Sequence, residues 1–453
     1  MQQSLELSND LYRLSFNSTT STTAVSIPDK MYSTSSSSET ATLTSFTLCS
    51  FIAKGHAPSA DPCWDAIQCV RSDNTGQRFD DLRFLQQLGS GDIGSVYLTE
   101  IKGAEGCVFA SKVMDKKELV SSYKKGRARI EREILEIVDH PFLPTLYACL
   151  DTSRWSCLLT EFCPGGDLHI LRQRQPEKRF DEAAVRFYAS EVVVALEYLH
   201  MLGIIYRDLK PENVLVRSDG HIMLTDFDLS LKCDNSSSTV QFVTSQDDTI
   251  TKPTSEYPID PPQHSLSSCI LPNCIVPSLP CFHMRRRSNR RPGPRGTLEI
   301  VAEPLDVRSM SFIGSHEYLA PEIISGEGHG NVVDWWTLGI FIFELFYGVT
   351  PFRGLDNDLT LANTVARALE FPEEPYLSAH AKDLISQLLI KDPERRIGST
   401  MGAAAIKHHP FFDGVNWALL RCAAPPYIPK PVVCQDIISE NGHCQDHTSF
   451  EYF

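Results

Sequence analysis

Four polar side chains between residues 208 and 226 have the types that phosphoryl transfer requires. Asp208 supplies a carboxylate base, Lys210 supplies a cation, and Asn213 and Asp226 supply oxygen ligands for a metal ion. Transfer of a phosphoryl group depends mainly on positioning the reactants and neutralising charge, so such a set must converge in space. We predict that Asp208 accepts the proton of an attacking hydroxyl, that Lys210 neutralises the transferred group, and that Asn213 and Asp226 hold Mg²⁺.

The two loops that carry these residues resemble the catalytic and metal-binding loops of protein kinases. Residues 206–213 read YRDLKPEN, close to H-R-D-L-x-x-x-N, and residues 226–228 read DFD, close to D-F-G. Lys210 favours serine and threonine over tyrosine as acceptors. Asp228 stands where the template has glycine, which supplies backbone freedom and no ligand. That departure supports a non-catalytic scaffold as the alternative to an enzyme.

A glycine-rich segment at residues 89–94, GSGDIG, is the candidate nucleotide loop. It is followed by the strand-like run VYL and not by a helix, which favours a hairpin over ATP phosphates and disfavours a dinucleotide fold. Lys112, on the next predicted strand, is the expected cation for the α- and β-phosphates, with Glu131 as its partner and Glu133 as the alternative. The residues expected around ATP are Leu88, Gly89, Ser90, Gly91, Asp92, Ile93, Gly94, Val96, Ala110, Lys112, Glu131, Thr160, Glu161, Cys163 and Leu215.

The order of the predicted elements indicates an α+β, bilobal protein-kinase fold, with a small β-rich N-lobe and a large helical C-lobe. Residues 84–88, 96–98, 107–113 and 157–162 have the character of strands, and residues 127–140, 183–200 and 338–346 have helical spacing. We predict the following organisation: a disordered Ser/Thr-rich tail at 1–78, a kinase domain at 79–412 (N-lobe 79–163, C-lobe 164–412), a disordered insertion at about 232–305, and a C-terminal extension at 413–453 that ends in FEYF.

The composition limits the partners and the compartment. The chain has 42 Lys and Arg against 57 Asp and Glu, and a formal charge of −15 disfavours nucleic acid as a partner. Without an apolar run long enough to span a bilayer and without a secretory leader, we expect a cytoplasmic protein with reduced thiols. Three cysteines and two histidines at 264–283 match no standard zinc spacing, so a zinc site there is disfavoured.

A local basic run at Arg285–Arg295 contrasts with the acidic whole and has three interpretations. It binds anionic lipid head groups at the inner face of the plasma membrane, where each cation contributes about 1 kcal/mol. Alternatively it is a nuclear-import signal, or it is a solvated linker. The first predicts a kinase that is peripheral at the plasma membrane, and the second predicts a nuclear one.

Three motifs resemble those of AGC-type serine/threonine kinases: YRD at 206–208, GSHEY at 314–318 and a terminal F-x-x-F. APE at 320–322 closes the activation segment. The DFD triplet and the long insertion resemble the plant AGCVIII group. This resemblance implies that an upstream phosphoinositide-dependent kinase docks on Phe450 and Phe453 and phosphorylates Ser311. We expect Arg207 to receive the new phosphate. The resemblance also implies that Ser315 contacts the catalytic aspartate.

The same resemblance implies the substrate. Asp167, Glu212 and Glu344 match acidic positions that related kinases use to bind arginine before the target serine, which predicts a basophilic enzyme. The implied substrates are the hydrophilic loops of PIN-type auxin efflux carriers, through which the kinase influences polar auxin transport and organ development. Calcium-binding proteins are candidate regulators by the same resemblance. The alternative is an active kinase of this type with another signalling substrate.

Overall fold

A computed structural model of the protein describes residues 61–72, 81–104, 106–120, 122–233, 241–244, 298–301 and 309–430. Residues 241–300 form one structural unit, and the remainder of the chain forms another. Within the described ranges, no helix has both the length and the apolar character needed to cross a membrane.

An antiparallel sheet of five strands forms the N-lobe, in the order β1-β2-β3-β5-β4. In β3, buried and half-buried side chains alternate, as expected when successive residues face opposite sides of a sheet. The pairing of β1 with β2 places the glycine-rich segment at the hairpin turn. The strands are β1 (Leu82–Ser90), β2 (Ser95–Ile101), β3 (Val108–Asp115), β4 (Leu146–Asp151) and β5 (Trp155–Glu161).

Helix α1 (Pro62–Ser72) belongs to the folded lobe. Its Trp64 and Ile67 are buried in an apolar cluster with Phe109 and Tyr147 of the sheet. The Tyr147 hydroxyl donates to a carboxylate oxygen of Asp61 over 2.7 Å, and the rings of Trp64 and Tyr147 are centred 5.1 Å apart. The prediction that residues 1–78 form a disordered tail is therefore wrong for residues 61–72, because a short apolar helix there covers part of the sheet.

Helix α2 (Ser122–Ile137) packs into a different cluster. Its Ile134 and Leu135 are buried together with Met114 and Leu158 of the sheet. The apolar residues recur at helical spacing, so the opposite face of α2 remains polar. The helix starts at Ser122, five positions before the predicted start at 127.

The C-lobe is helical, as predicted. Helices α4 and α6 are largely buried, and Asp181 caps α4 by accepting from the backbone N–H of Ala184 over 2.8 Å. The helices are α3 (Leu168–Gln173), α4 (Glu182–Met201), α5 (Pro321–Ser325), α6 (Val332–Tyr347), α7 (Asn357–Ala366), α8 (Ala379–Leu388) and α9 (Gly402–Lys407). Short 3-10 turns occur at Glu118–Val120, Pro176–Lys178, Pro211–Asn213, His316–Tyr318, Pro410–Phe412 and Trp417–Cys422. The α+β bilobal fold is confirmed.

Two small antiparallel ladders carry the loops of the site. Strand β6 (Ile204–Ile205) pairs with β9 (Leu231–Lys232), and β7 (Val214–Val216) pairs with β8 (Ile222–Leu224). The catalytic loop leaves β6 and enters β7, and the metal loop leaves β8 and enters β9. The ladders therefore hold both loops at their two ends.

A buried ion pair joins α5 to the loop after α8. Arg396 donates from both terminal nitrogens to the two carboxylate oxygens of Glu322, over 2.6 and 3.0 Å. Both side chains are almost fully buried, and the Arg396 guanidinium also lies over the Trp336 ring.

The predicted insertion and C-terminal extension are described in part. Strands β10 (Gln241–Thr244) and β11 (Leu298–Val301) form a two-stranded sheet, so the prediction of disorder from about 232 to 305 is wrong at these positions. Residues 413–430 pack back on the C-lobe through Leu420 and Tyr427. The basic run Arg285–Arg295, the rejected zinc residues, Phe450 and Phe453 lie outside the described residues.

Candidate active site

The catalytic loop brings three of the predicted residues into direct contact. A carboxylate oxygen of Asp208 accepts from Lys210 Nζ over 2.9 Å and from Asn213 Nδ2 over 2.8 Å. The Asn213 amide also donates to the Asp208 carbonyl over 2.8 Å, which closes the loop on itself. Burial raises the pKa of Asp208, and Lys210 and Asn213 oppose that rise by stabilising the carboxylate. The carboxyl group of Asp208 is therefore held in place, and its affinity for a proton is raised.

The backbone of this loop is held by a carboxylate from α6. Asp334 is fully buried and accepts from the N–H groups of Tyr206 and Arg207 over 2.9 and 2.8 Å, and His200 Nε2 lies 2.8 Å from it. Arg207 has a φ of 66°, in the left-handed region that side chains rarely adopt. Such strain persists only where surrounding contacts fix the conformation, and Asp334 supplies those contacts.

Ser315 approaches the base through Lys210. Its hydroxyl lies 3.2 Å from Lys210 Nζ, which in turn reaches Asp208. The resemblance implied a direct contact between Ser315 and the aspartate, and the contact in this structure is made to the lysine between them. Ser315, Lys210 and Asp208 therefore form a chain of hydrogen bonds across the mouth of the site.

The metal loop faces the N-lobe cation. Lys112 Nζ lies 3.0 Å from Asp226 and 2.7 Å from Glu131, whereas Glu133 pairs with Arg129 on the outer side of α2. The partner of Lys112 is thus Glu131 and not Glu133. Burial opposes the charge of Lys112, but Asp226 and Glu131 outweigh it and hold the lysine pKa above its usual range. Burial likewise opposes the charge of Asp226, yet Lys112 and Lys210 keep its pKa below the usual value.

The donor set fits a hard divalent cation that is shared with phosphate. Mg²⁺ is normally bound by one or two carboxylates together with substrate phosphates, and needs no cage made only of protein. The side chain of Asp226 is 37% exposed, and Asn213, whose amide nitrogen is directed to Asp208, retains its oxygen as a ligand. The described residues hold no cluster of three or more His, Cys, Asp or Glu suited to a metal ion. Asn213 and Asp226 would therefore hold Mg²⁺ with the phosphates.

The glycine-rich hairpin lies close to β3. The N–H of Gly91 donates to the carbonyl of Gly94 over 2.8 Å and closes the turn. A Cβ added at Gly94 would lie 2.5 Å from the Val113 carbonyl oxygen, so only glycine allows this approach. The predicted loop residues Leu88, Gly89, Ser90, Gly91, Asp92, Ile93, Gly94 and Val96 lie in or beside this hairpin.

The remaining residues predicted around ATP lie on β3, β5 and β7 or just after β5. Ala110 and Thr160 are paired across β3 and β5, where the Thr160 hydroxyl donates to the Ala110 carbonyl over 3.2 Å. Leu215 lies on β7, and Cys163 is buried with its sulfur 3.8 Å from that of Met223. The Glu161 carboxylate is occupied by Arg217, which leaves its backbone as the part available to a ligand.

The three carboxylates assigned to substrate arginine differ in their surroundings. Glu344 accepts from Arg172 over 2.8 Å and from the Tyr318 hydroxyl, so it is already paired. Asp167 caps α3 through the N–H of Ile170 over 2.7 Å, and burial raises its pKa to about 6. The Glu212 side chain is 30% exposed and lies 3.1 Å from His169 Nδ1. Glu212 is therefore the most accessible of the three.

The predicted phosphosite lies beside the predicted phosphate receiver. Arg207 donates from one terminal nitrogen to the hydroxyls of Ser311 and Ser309, over 2.8 and 3.2 Å. The two hydroxyls lie 2.7 Å from each other. Burial lowers the pKa of Arg207, as expected for a guanidinium with no carboxylate in direct contact among the described residues.

Sequence reasoning missed three residues that the structure places at the site. Asp334 orders the catalytic loop, Ser309 shares Arg207 with Ser311, and His169 contacts Glu212. An acidic residue in the first turn of an apolar helix was the only signal for Asp334, and it is common in helices for electrostatic reasons. Ser309 and His169 belong to no motif.

Comparisons with known proteins agree with this geometry. The sequence profile of the protein kinase domain matches residues 82–247 and 300–412. A protein kinase of Oryza sativa subsp. indica is 52% identical over 392 residues, which cover 84% of this chain and 66% of that protein. Serine/threonine-protein kinase AGC1-5 of Arabidopsis thaliana is 52% identical over 391 residues, with 85% and 66% covered.

Another Arabidopsis thaliana serine/threonine-protein kinase is 52% identical over 413 residues, which cover 88% of this chain and 70% of that protein. The chain thus spans 66% of the length of the first two relatives and somewhat more of the third.

Proposed function

Because the chain belongs to the protein kinase family, among the plant AGC-type serine/threonine kinases, we propose that it transfers the γ-phosphoryl group of ATP to serine or threonine hydroxyls of proteins. The observation that carries this proposal is the meeting of two groups of residues. Asp208, Lys210 and Asn213 converge in the catalytic loop, and Lys112 and Asp226 meet opposite them. A base, two cations and two metal ligands are the parts that this chemistry needs.

Each residue has a defined task in the transfer. Asp208 aims the substrate hydroxyl and accepts its proton, for which its raised pKa is favourable. Lys210, held between Asp208 and Ser315, neutralises charge on the transferred group. Lys112 binds the α- and β-phosphates. When bound at Asn213 and Asp226, Mg²⁺ supplies positive charge beside the phosphate oxygens.

A non-catalytic scaffold has only Asp228 in its favour, and the structure gives that residue another partner. Its carboxylate lies 2.6 Å from Arg127 of α2, and Asp226, Lys112 and Asp208 keep their contacts beside it. Replacement of glycine at this position has therefore not displaced any residue with a chemical task. The enzyme remains the better supported function.

We further propose that the chain is a PINOID-type kinase, and that it phosphorylates the hydrophilic loops of PIN-type auxin efflux carriers. Support comes from phrases of the sequence, such as GGDLHILRQRQP and SDGHIMLTDFDLSL, and from the plant relatives. Regulation of polar auxin transport and organ development, with calcium-binding proteins as regulators, belongs to the same proposal. Glu212 is the carboxylate most open to an arginine that precedes the target serine.

Activation is proposed to proceed through Ser311. A phosphate on this hydroxyl would lie against Arg207, and its negative charge would turn the hydrogen bond between Arg207 and Ser311 into an ion pair. Docking of the upstream phosphoinositide-dependent kinase on Phe450 and Phe453 remains a prediction from the sequence. A cytoplasmic location at the plasma membrane, through binding of Arg285–Arg295 to anionic lipid, also remains a prediction from the sequence.

The decisive experiment measures Mg²⁺- and ATP-dependent phosphorylation of a purified PIN-carrier hydrophilic loop by the full chain. Asp208→Asn should abolish the transfer, while Asp383→Asn, at an exposed carboxylate of α8, should leave it unchanged. Incorporation on the loop that needs Asp208 would support both enzyme and substrate. Autophosphorylation without loop phosphorylation would keep the kinase and exclude the carrier, and no transfer after Ser311 is phosphorylated would favour the scaffold.

A further inference from the structure

Asp228, the residue that departs from the D-F-G template, is built into an ion-pair bridge. Its side chain is only 5% exposed, and one carboxylate oxygen lies 2.6 Å from a terminal nitrogen of Arg127. The other terminal nitrogen of Arg127 contacts the carboxylate of Asp92 at the tip of the glycine-rich hairpin. One guanidinium from α2 therefore joins the metal loop to the nucleotide loop.

A second cation of the same helix supports this bridge. Lys124 Nζ lies 3.0 Å from the Asp92 carboxylate and donates to the Asp92 carbonyl over 2.8 Å. The bridge thus contains two carboxylates and two cations, and its formal charge is zero. Neutrality matters at this place, because an unpaired Asp92 would repel the phosphates that the hairpin must cover.

The bridge lies beside the ion pair between Glu131 of α2 and Lys112. Arg127 and Glu131 are four positions apart and so lie on the same face of the helix, one turn from each other. Glu131 contacts Lys112, which reaches Asp226, while Arg127 contacts Asp228, two positions further along the metal loop. Each of the two loop aspartates is consequently linked to α2, one directly and one through a lysine.

The surroundings of Asp228 are not those of a metal ligand. The side chain of Asp226 is 37% exposed, whereas that of Asp228 is buried and in contact with a guanidinium. An arginine keeps its charge under all ordinary conditions, so that carboxylate is not released to a cation without breaking the bridge. Its position suits an anchor.

We propose that Arg127 and Asp228 are positioning residues that hold the glycine-rich hairpin closed over the phosphates of ATP, through the bridge Asp92–Arg127–Asp228. This inference rests on the proposed function, since it assigns a task within the same nucleotide site. It explains why an aspartate is compatible with a position where the template has glycine. It also favours arginine at 127, since the planar guanidinium presents one terminal nitrogen to Asp92 and the other to Asp228.

The test is nucleotide binding to the purified full chain, measured by calorimetry with the β,γ-imido analogue of ATP and saturating Mg²⁺. Arg127→Met and Asp228→Asn should each raise the dissociation constant about tenfold. The dissociation constant of the double variant should not exceed that of the weaker-binding single variant. Arg127→Lys should stay at least about threefold weaker than the wild type. Arg129→Met, at a site 74% exposed on the same helix, is the matched control and should change nothing.

Kinetics separate positioning from a general loss of structure. In the single variants the KM for ATP should rise in proportion to the dissociation constant, while kcat at saturating ATP stays near the wild-type value. The thermal midpoint without nucleotide should stay near the wild-type value in Asp228→Asn, because Arg127 keeps Asp92 as its partner. Additive losses in the double variant, or binding unchanged in either single variant, would overturn the proposal. The proposal would also be overturned if nucleotide binding lost its dependence on Mg²⁺ in Asp228→Asn but not in Arg127→Met, because Asp228 would then be a ligand of the metal ion. If the wild-type protein binds the analogue but phosphorylates no protein, the proposed function is wrong. The comparison of nucleotide binding between wild type and variants still tests the bridge in that case.

Discussion

The two lobes hold their functional residues by different means. In the C-lobe, Asp208 and Arg207 belong to a loop whose backbone is fixed by the fully buried Asp334. In the N-lobe, Lys112 is paired with the buried Glu131 of α2, whereas Asp92 of the glycine-rich hairpin is 55% exposed and is held by Arg127 and Lys124. Buried pairs are costly to break because a charge is left without water or partner, whereas exposed pairs contribute little.

This difference assigns separate roles to the two sides of the site. The side that carries the proton acceptor is rigid, which keeps the reacting oxygen and Asp208 in register. On the side that receives the nucleotide, the exposed contacts of Asp92 open at small cost, and ATP must enter and ADP must leave there. Changes to the buried pairs of the C-lobe should therefore cost stability, and changes to the hairpin contacts should mainly alter nucleotide affinity.

The largest effect should come from breaking the buried pair of the C-lobe. Glu322→Gln leaves the Arg396 guanidinium, 1% exposed, without its counter-charge, and should lower the free energy of unfolding by about 4 kcal/mol. Denaturant unfolding measures the change. Glu133→Gln removes an exposed partner of Arg129 and should cost no more than about 0.5 kcal/mol. Equal losses in the two variants would erase the contrast between the lobes.

The next effect tests whether α1 is part of the N-lobe. Trp64→Ala removes a buried indole from the cluster with Phe109 and Tyr147, and should cost about 3 kcal/mol. Gln68→Ala, on the exposed side of the same helix, should be nearly neutral. A Trp64 variant with unchanged unfolding would mean that the helix contributes nothing to the lobe.

Glu131→Gln sharpens the comparison on the nucleotide side. The variant keeps the shape of the side chain but removes the charge that faces Lys112, so the KM for ATP should rise about tenfold. The free energy of unfolding should fall less than in Glu322→Gln, because Lys112 keeps Asp226 as a partner. Steady-state kinetics at varied ATP give the ratio. Glu133→Gln, at the alternative position in the sequence, is again the control. A loss of stability as large as that of Glu322→Gln would contradict the division of roles.

The smallest effect is a pH dependence at the substrate side. The hydrogen bond to Glu212 raises the pKa of His169 above its ordinary 6.5, so the imidazolium occupies Glu212 below that raised pKa. Above it, the neutral Nδ1 becomes an acceptor for Arg172, 3.5 Å away, and Glu212 is released. The KM for a peptide with an upstream arginine should therefore fall about threefold as pH rises through the His169 pKa.

His169→Leu should make that KM low and independent of pH over the same range. A peptide without the arginine should show no such dependence with either protein. If the variant keeps the wild-type pH profile, Glu212 does not take part in recognition of arginine.

Motifs were sufficient to predict the residues that carry the chemistry. They were not sufficient to predict the residues that hold the catalytic loop in place. The sequence placed Asp208, Asn213, Asp226 and Lys112 in one site because each belongs to a pattern with fixed spacing. It also favoured Glu131 over Glu133, a choice the structure supports through the contact with Lys112. Asp334 was beyond such reasoning, since its contact with the N–H of Arg207 joins positions 127 residues apart.

The secondary structure shows the same limit. Strands β1, β2 and β3 were found to within a few residues because they are apolar runs beside a glycine-rich turn. Helix α1 was missed, since it is short and acquires its stability from the lobe it packs on. The contact of Ser315 with Lys210 shows that a motif specifies residue types and leaves the hydrogen-bond partner open.

The pairing of β10 with β11 has a practical consequence for engineering. Thr244 and Leu298, which precede and follow residues 245–297, belong to paired strands of one sheet. Lengthening the chain between two such strands costs only about 0.6 kcal/mol for each doubling of its length. A reporter or affinity module inserted between Thr244 and Leu298 would therefore have both of its flanking strands in one sheet.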